Sequence, residues 1–331
     1  MAQISEAQER AVARPKPRLA SILAWLGDPW GYLLVLPSIL LYATFQIWPL
    51  IRGLAMAFSP FSWVLPETKG LLCFNGLDNY RELYRTQEWR HSMWVSMKLT
   101  AGAWPLNFVA AMFAAVMISK VANPKWSAFF RIVTYLPVVM PLAVAMLLWR
   151  NLYSTQYGYI NHFLKTVVRW KNPPNWIYDI RWALFSAMIA TVWKDFGHNT
   201  LLFLIGIYSI NRELYEAAEI DGAGEWQQFW KVTLPLLKSI IVLVLVLGAR
   251  VVSATQEVMI LFSGSGFDVT WDTGWGGPHQ SCLTAGLWAY LTAFARPDMR
   301  LGLAASASLI LGLISMLLSG VVFRLVRAER A

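Results

Sequence analysis

Five ionisable side chains stand inside apolar stretches. Lys194, Asp195 and His198 lie in the run from Trp182 to Ile210, and Arg250 and Glu257 in the run from Ser239 to Phe262. In hydrocarbon such groups face a bundle interior, a polar cavity or one another. Two kinds of chemistry follow. Asp195 and Arg250 have opposite charges and could pair between the two runs, a structural role. The sharper reading makes Lys194 and Arg250 cationic contacts for a polar solute in a translocation path. Trp193, Asn199 and Gln256 would then stack on, or hydrogen-bond to, its hydroxyl groups.

Reaction chemistry finds no matching pattern. The chain has no GxxxxGK[ST] phosphate loop, no HExxH, no GxSxG and no DDxxD-like carboxylate pair. "DVTWDTG" (268–274) offers two acids of a calcium loop, but they lie four apart and the terminal Glu is missing. Cys73 and Cys282 form no CxxC pair, which argues against a metal or redox motif. The topology below puts both on the outer side, where a disulfide is open to them; two unrelated thiols is the plainer reading.

The elements that position these residues belong to a membrane. Hydrophobic residues make up 57% of the 331 and charged residues 14%, against about 25% charged in soluble domains. Mean hydropathy is +0.46. A soluble chain this apolar would expose patches that associate. The 18 tryptophans fit membrane–water interfaces. The net charge is +9. A nucleic-acid face would gather such charge into one patch with aromatics beside it, whereas here it is spread over tails and short loops, so nucleic acid is not an expected partner.

Charge-free runs at 29–51, 99–119, 132–149 and 301–323 reach or approach the roughly 20 residues that cross a bilayer. With the two interrupted runs, the expectation is an all-α integral membrane protein of six transmembrane helices, since lipid admits only helices or closed barrels. The expected spans are about 30–58, 94–119, 130–151, 182–209, 236–262 and 299–324. The first apolar run is too long, and too far from the start, for a cleaved signal core of about 7–15 residues. Residues 1–28 read as a basic cytoplasmic arm and 327–331 as a cytoplasmic tail. A slight excess of Lys and Arg on the inner side agrees with both termini being cytoplasmic.

Between spans four and five the chain writes "LYEAAEIDGAGEWQQFWKVTLP" (214–235). "RELYEAAE" is made of good helix formers, and Asp221-Gly222 supplies a stop. "EWQQFWKV" resumes with Trp226, Phe229 and Trp230 at i, i+3 and i+4, one apolar helical face. Pro235 suits a helix's first turn. An amphipathic segment on the inner leaflet explains the aromatics. It leaves unexplained the flat surface of the paired alanines, which suits a partner protein's cleft.

This segment resembles the cytoplasmic loop signature of binding-protein-dependent ABC importer permeases. Glu216-Ala217-Ala218, Gly222, Val232 and Leu234-Pro235 stand at the family's spacing, with Val for the commoner Ile. "YLPVVMPLAVAMLLWRNLYSTQYGYIN" (135–161), "LVLPSILLYATFQIWPLIRG", "GLDNYREL" and "VWKDFGHNTLLFLIGIYSINRELYEAA" also resemble the sugar-uptake branch, of the larger maltose permease and glycerol-phosphate permease type. The likeness covers about 30–326. Two departures stand out. Within 262–282, Gly276-Gly277-Pro278 fits the end of the family's turn, and the stretch before it reads as an insertion. The family's aromatic–Asp pair is replaced by "SATQEVMI" (253–260), which puts in question any substrate role carried over to that region.

The resemblance implies a type I ABC importer transmembrane fold over 29–326. It implies a non-catalytic subunit of the bacterial cytoplasmic (inner) membrane that binds no cofactor itself. ATP and Mg would bind in two cytoplasmic ABC ATPase subunits. A second homologous permease and an extracytoplasmic solute-binding protein would complete the assembly. Glu216, Ala217, Ala218, Asp221, Gly222, Leu234 and Pro235 would form the ATPase-coupling loop, and a sugar, oligosaccharide or polyol the cargo. The competing class is a secondary transporter or channel. Secondary transporters often carry inverted repeats, and spans one to three do not resemble four to six. In span six, Ala304, Ser308 and Gly312 form a small-xxx-small row, expected to pack against another helix.

Overall fold

The computed structural model describes residues 29–64, 73–249, 256–262 and 276–328. Every regular element among them is helical. The chain divides into two compact units, residues 1–53 and 54–331. In the first, α1 (Pro29–Tyr42) passes through a π-turn at Ala43–Ile47 into α2 (Trp48–Met56). The Arg52 guanidinium lies over the Trp48 ring at 5.7 Å, one helical turn away.

In the second unit α3 (Asp78–Arg85) leads into the 33-residue α4 (Gln87–Ser119). Then come α5 (Pro124–Val139), α6 (Leu142–Leu152), α7 (Tyr159–Thr166) and the 29-residue α8 (Ile180–Tyr208). The starts follow capping rules. Asn123 accepts a hydrogen bond from Lys125 N with Pro124 in the first turn, and Asp179 accepts one from Arg181 N. Contacts between α4 and α8 rise in step: Gly102 faces Met188, Asn107 reaches Val192, and Phe108 meets Phe203. The two helices therefore run parallel. Contacts between α5 and α8 fall as numbering rises, from Arg131–Tyr208 to Val138–Lys194. α5 is thus the antiparallel return between them.

The run expected as one helix over 130–151 is two, α5 and α6, meeting at 100°. Pro141 is the cause. A residue before proline is pushed out of the helical region, and Met140 sits at φ −63°, ψ 137°. The expected span over 236–262 also departs from one straight rod. The segment Glu225–Leu236 meets α12 (Lys238–Gly248) at 71°, and 250–255 lie outside the described residues. By length and composition three described helices could cross a membrane, or up to five if each bent pair is one span. The long α8 is not among them: Lys194, Asp195 and His198 lower its hydropathy.

At the end opposite the 210–235 loop, the structure holds an element the sequence did not disclose. α14 (Ala285–Phe294) is a 10-residue apolar helix, too short to announce itself as a span. Trp288 is fully buried and meets the Trp89 ring at 5.1 Å. Ser96 Oγ accepts from Ala285 N at 2.8 Å. Glu88 pairs with Arg296, whose guanidinium lies over Trp288, and Glu82 pairs with Arg300. The last helix, α15 (Leu301–Ala328), packs on α14 and donates Ser306 Oγ to Ala57 O at 2.7 Å. The small-residue row expected there is split: Ala304 is buried, whereas Ser308 and Gly312 are exposed.

Cys73 is exposed and Cys282 buried, and both are free. Burial pushes the Cys282 thiol up to about 12, so its reactive thiolate is scarce near neutrality. Maleimide labelling of the folded protein near pH 7.5, read by intact mass, is expected to add one adduct, at Cys73. A second should appear only after denaturation.

Candidate functional site

Helices α4, α5, α8 and α12 converge on a polar cavity of about 300 Å³. Its polar wall comes chiefly from α8, through Thr191, Lys194, Asp195, His198 and Asn199. The parallel α4 adds Trp104 and Asn107. An amide chain ties the two: Asn199 Nδ2 donates to Asn107 Oδ1 at 2.6 Å, and Asn107 Nδ2 to Val192 O at 3.0 Å. Lys194 Nζ donates to Val138 O at 3.2 Å. That carbonyl lies in the last turn of α5, where the break at Pro141 removes its helical partner, and a cation there also suits the helix dipole.

The residues expected along a solute path are thus divided. Lys194 and Asn199 line the cavity. Trp193 turns aside and packs edge-on against Trp149 at 5.7 Å. Arg250 lies outside the described residues, so the expected Asp195–Arg250 pair does too, and so does the "DVTWDTG" stretch. Gln256 begins α13 (Gln256–Phe262), and its side chain is likewise outside them. No group of three or more His, Cys, Asp or Glu that could hold a metal occurs among the described residues.

Sequence reasoning missed Trp104, Asn107 and Thr191. One signal was available: Asn107 is the single amide side chain in the run 99–119. Gly248 closes the cavity beside Trp104. A Cβ on Gly248 would lie 2.0 Å from Trp104 Nε1, so only glycine allows this approach.

The second candidate is the segment after α8. α9 (Arg212–Ile220) starts at Asn211, whose side chain accepts from Glu213 N at 3.1 Å. It ends in a closed turn: Gly222 N donates to Glu219 O at 3.0 Å and Ala223 N to Ala218 O at 2.9 Å. This 6→1 and 5→2 pair is the Schellman arrangement, which needs a left-handed residue, and Gly222 has φ +77°. Asp221 is the C-cap. α10 (Glu225–Gln228) then runs through a π-turn at Phe229–Thr233 into α11 (Leu234–Leu236), which contains Pro235.

The two halves are pinned together. Tyr215 Oη lies 2.9 Å from Thr233 Oγ1, and Thr233 is buried. Lys120, just past α4, bonds Glu225 at 2.6 Å. Phe229 packs on the core, while Trp226 and Trp230 stay exposed. Glu216 and Ala217 are exposed, Ala218 is half-buried, and Ile220 is 88% exposed. Glu216 has only the surface ion pair with Arg212, at 2.9 Å. Leu234 is half-buried and Pro235 exposed.

Residues 107–330 match the family described as "Binding-protein-dependent transport system inner membrane component". The chain is 28% identical to the lactose transport system permease protein LacF of Rhizobium radiobacter, covering 92% of this chain and 96% of the relative. It is 30% identical to the sn-glycerol-3-phosphate transport system permease protein UgpA of Yersinia enterocolitica, covering 90% and 94%. The fold matches a chain from the crystal structure of a bacterial ABC transporter involved in the import of the acidic polysaccharide alginate. The TM-score is 0.76 with 20% identity, over 94% of this chain and 99% of that one.

The two glycines should differ on substitution. At Gly248 an added methyl meets the Trp104 ring, and overpacking costs about 1–3 kcal/mol. At Gly222 a Cβ meets nothing within 4 Å, leaving only the left-handed backbone penalty of about 1–2 kcal/mol. In detergent, Gly248→Ala is expected to lower the thermal midpoint by several degrees, and more than Gly222→Ala. The reverse order would contradict the packing of α12 on α4.

Proposed function

The chain belongs to the binding-protein-dependent transport system inner membrane component family, and from that footing we propose how its two sites work. It is a membrane-embedded permease component of an ABC importer. In our reading both termini are cytoplasmic, residues 1–28 form the basic arm, and 210–235 face the cytoplasm. Two ABC ATPase subunits bind below and carry ATP and Mg. A second, homologous permease completes the pathway, and an extracytoplasmic binding protein delivers the solute. The relatives are named for lactose, sulfoquinovosyl glycerol, sn-glycerol-3-phosphate and trehalose/maltose. That range supports a sugar, oligosaccharide or polyol as cargo.

One observation carries the coupling role. α9 is held from behind by Tyr215 and closed by the turn at Gly222, yet Glu216, Ala217 and Ile220 are exposed, Glu216 making a surface ion pair with Arg212 of the same helix. A short rigid helix with a small-residue face suits a cleft in another protein. Closure of the ATPase pair would push on α9, and Thr233 and Glu225 would pass the push into the bundle. Alternating exposure of the cavity then follows as rigid-body motion of the two halves.

The test is uptake by the complex assembled in liposomes. Gly222→Pro removes the N–H bonded to Glu219 O and forbids φ +77°; Ala217→Trp fills the docking face. Both are expected to reach the membrane in normal amount and lose ATP-driven uptake by at least about tenfold, equivalent to 1.4 kcal/mol of coupling. Normal uptake by both would refute the coupling role. Solute movement by the chain alone, without ATPase subunits, would favour a secondary transporter or channel instead.

A further inference from the structure

The cavity wall contains two polar groups that the fold leaves without a partner. Thr191 is 5% exposed, and its Oγ1 makes no hydrogen bond. A helical threonine ordinarily satisfies its hydroxyl on the carbonyl four residues back. Thr100, Thr134 and Thr200 of this chain do so, at 2.8, 2.6 and 2.8 Å. Thr191 stands on the same helix as Thr200 and declines that bond. The second group is the Trp104 indole N–H, buried against Gly248 with no acceptor. A buried donor left unmade is costly, and an indole N–H can only donate.

We propose that Trp104 Nε1 and Thr191 Oγ1 are the specificity-determining pair of a single-ring subsite, reading an acceptor oxygen of a hydroxylated solute. The inference rests on the importer reading and deepens it. The size follows from the cavity. At about 300 Å³ it lies at the small end of ligand pockets, which run to about 1,000 Å³, so it takes one sugar ring or a polyol of that size at a time. The polarity follows from the residues. Lys194 uses one of its N–H groups on Val138 O, and an ammonium has three. A ring oxygen or hydroxyl entering beside it therefore meets Thr191 and Lys194 on α8 and Trp104 on α4. The donor on α4 lies against Gly248 at the end of α12, so a shift of α12 off the indole would free it for the solute.

The experiment uses the full complex with its binding protein at saturation. The probes are lactose, maltose and sn-glycerol 3-phosphate, with singly deoxygenated forms of whichever is transported. Trp104→Phe keeps the ring and removes the N–H; Thr191→Val keeps the shape and removes the hydroxyl. Each is expected to cut the uptake rate by about tenfold at unchanged membrane level. Each should also erase the wild-type preference for the parent solute over one deoxygenated form, since the missing oxygen then has no donor to lose. Wild-type rates in both variants would overturn the pair. So would a lower rate with the deoxygenation preference intact, which marks a packing role. If the wild-type complex moves none of the three probes, the carbohydrate reading itself fails and the subsite falls with it; if the probes move and only the variants behave normally, the subsite alone is wrong.

Discussion

A backbone carbonyl stripped of its helical partner inside an apolar bundle must find a donor, because no water is there to replace it. Pro141 creates that situation at the end of α5, and Lys194 meets it through Val138 O at 3.2 Å. The rest of the polar centre follows. A lysine placed mid-helix in α8 needs polar company, which Asp195, His198 and Asn199 supply along the same wall. Asn199 in turn fixes Asn107 of α4, and Asn107 returns to α8 through Val192 O. Break, cation, amide chain and cavity are therefore one constraint seen from four sides.

The two ends of the second unit solve different problems. At the α14 end a short helix is buried against Trp89 and Ser96 of α4, and the residues after it, Arg296 and Arg300, are held by Glu88 of α4 and Glu82 of α3. Arg296 there also packs against aromatic surface, over Trp288 at 5.3 Å. At the other end the Tyr215–Thr233 hydroxyl pair ties α9 to the segment after it, and the outer face of α9 is exposed. A firmly tied end and a lightly tied, outward-facing helix are what a bundle needs if force enters on one side only.

Much of this was legible in the sequence, and the failures have physical causes. The loop was readable because its signature is local: Asp221-Gly222 dictates a left-handed stop, and the closed turn at Gly222 is a matter of neighbouring residues. The charges of α8 were readable because ionisable groups in apolar runs stand out. The 100° break was missed although Met140-Pro141 was in view, because proline within membrane helices is often tolerated and context decides. α14 was missed because ten apolar residues carry no span signal. Trp104 and Thr191 were missed for a deeper reason. Neither residue type is unusual in an apolar helix; only three-dimensional packing shows that each lacks a partner.

The same two helices that carry the loop also line the cavity. α8 runs unbroken from Thr191 through Asn199 to Tyr208, three residues before the Asn211 cap of α9. α12 begins at Lys238, directly after the loop, and ends at Gly248 against Trp104. Its 11 residues span about 16 Å at 1.5 Å per residue. A rod of that length, bent by 71° from the segment before Leu237, would carry a displacement of the loop to Gly248. Because a Cβ at Gly248 would overlap the indole, the contact tolerates no added side chain there. α9 and the cavity are thus joined through the two helices that flank the loop, and the missing side chain at Gly248 is what lets α12 close on Trp104.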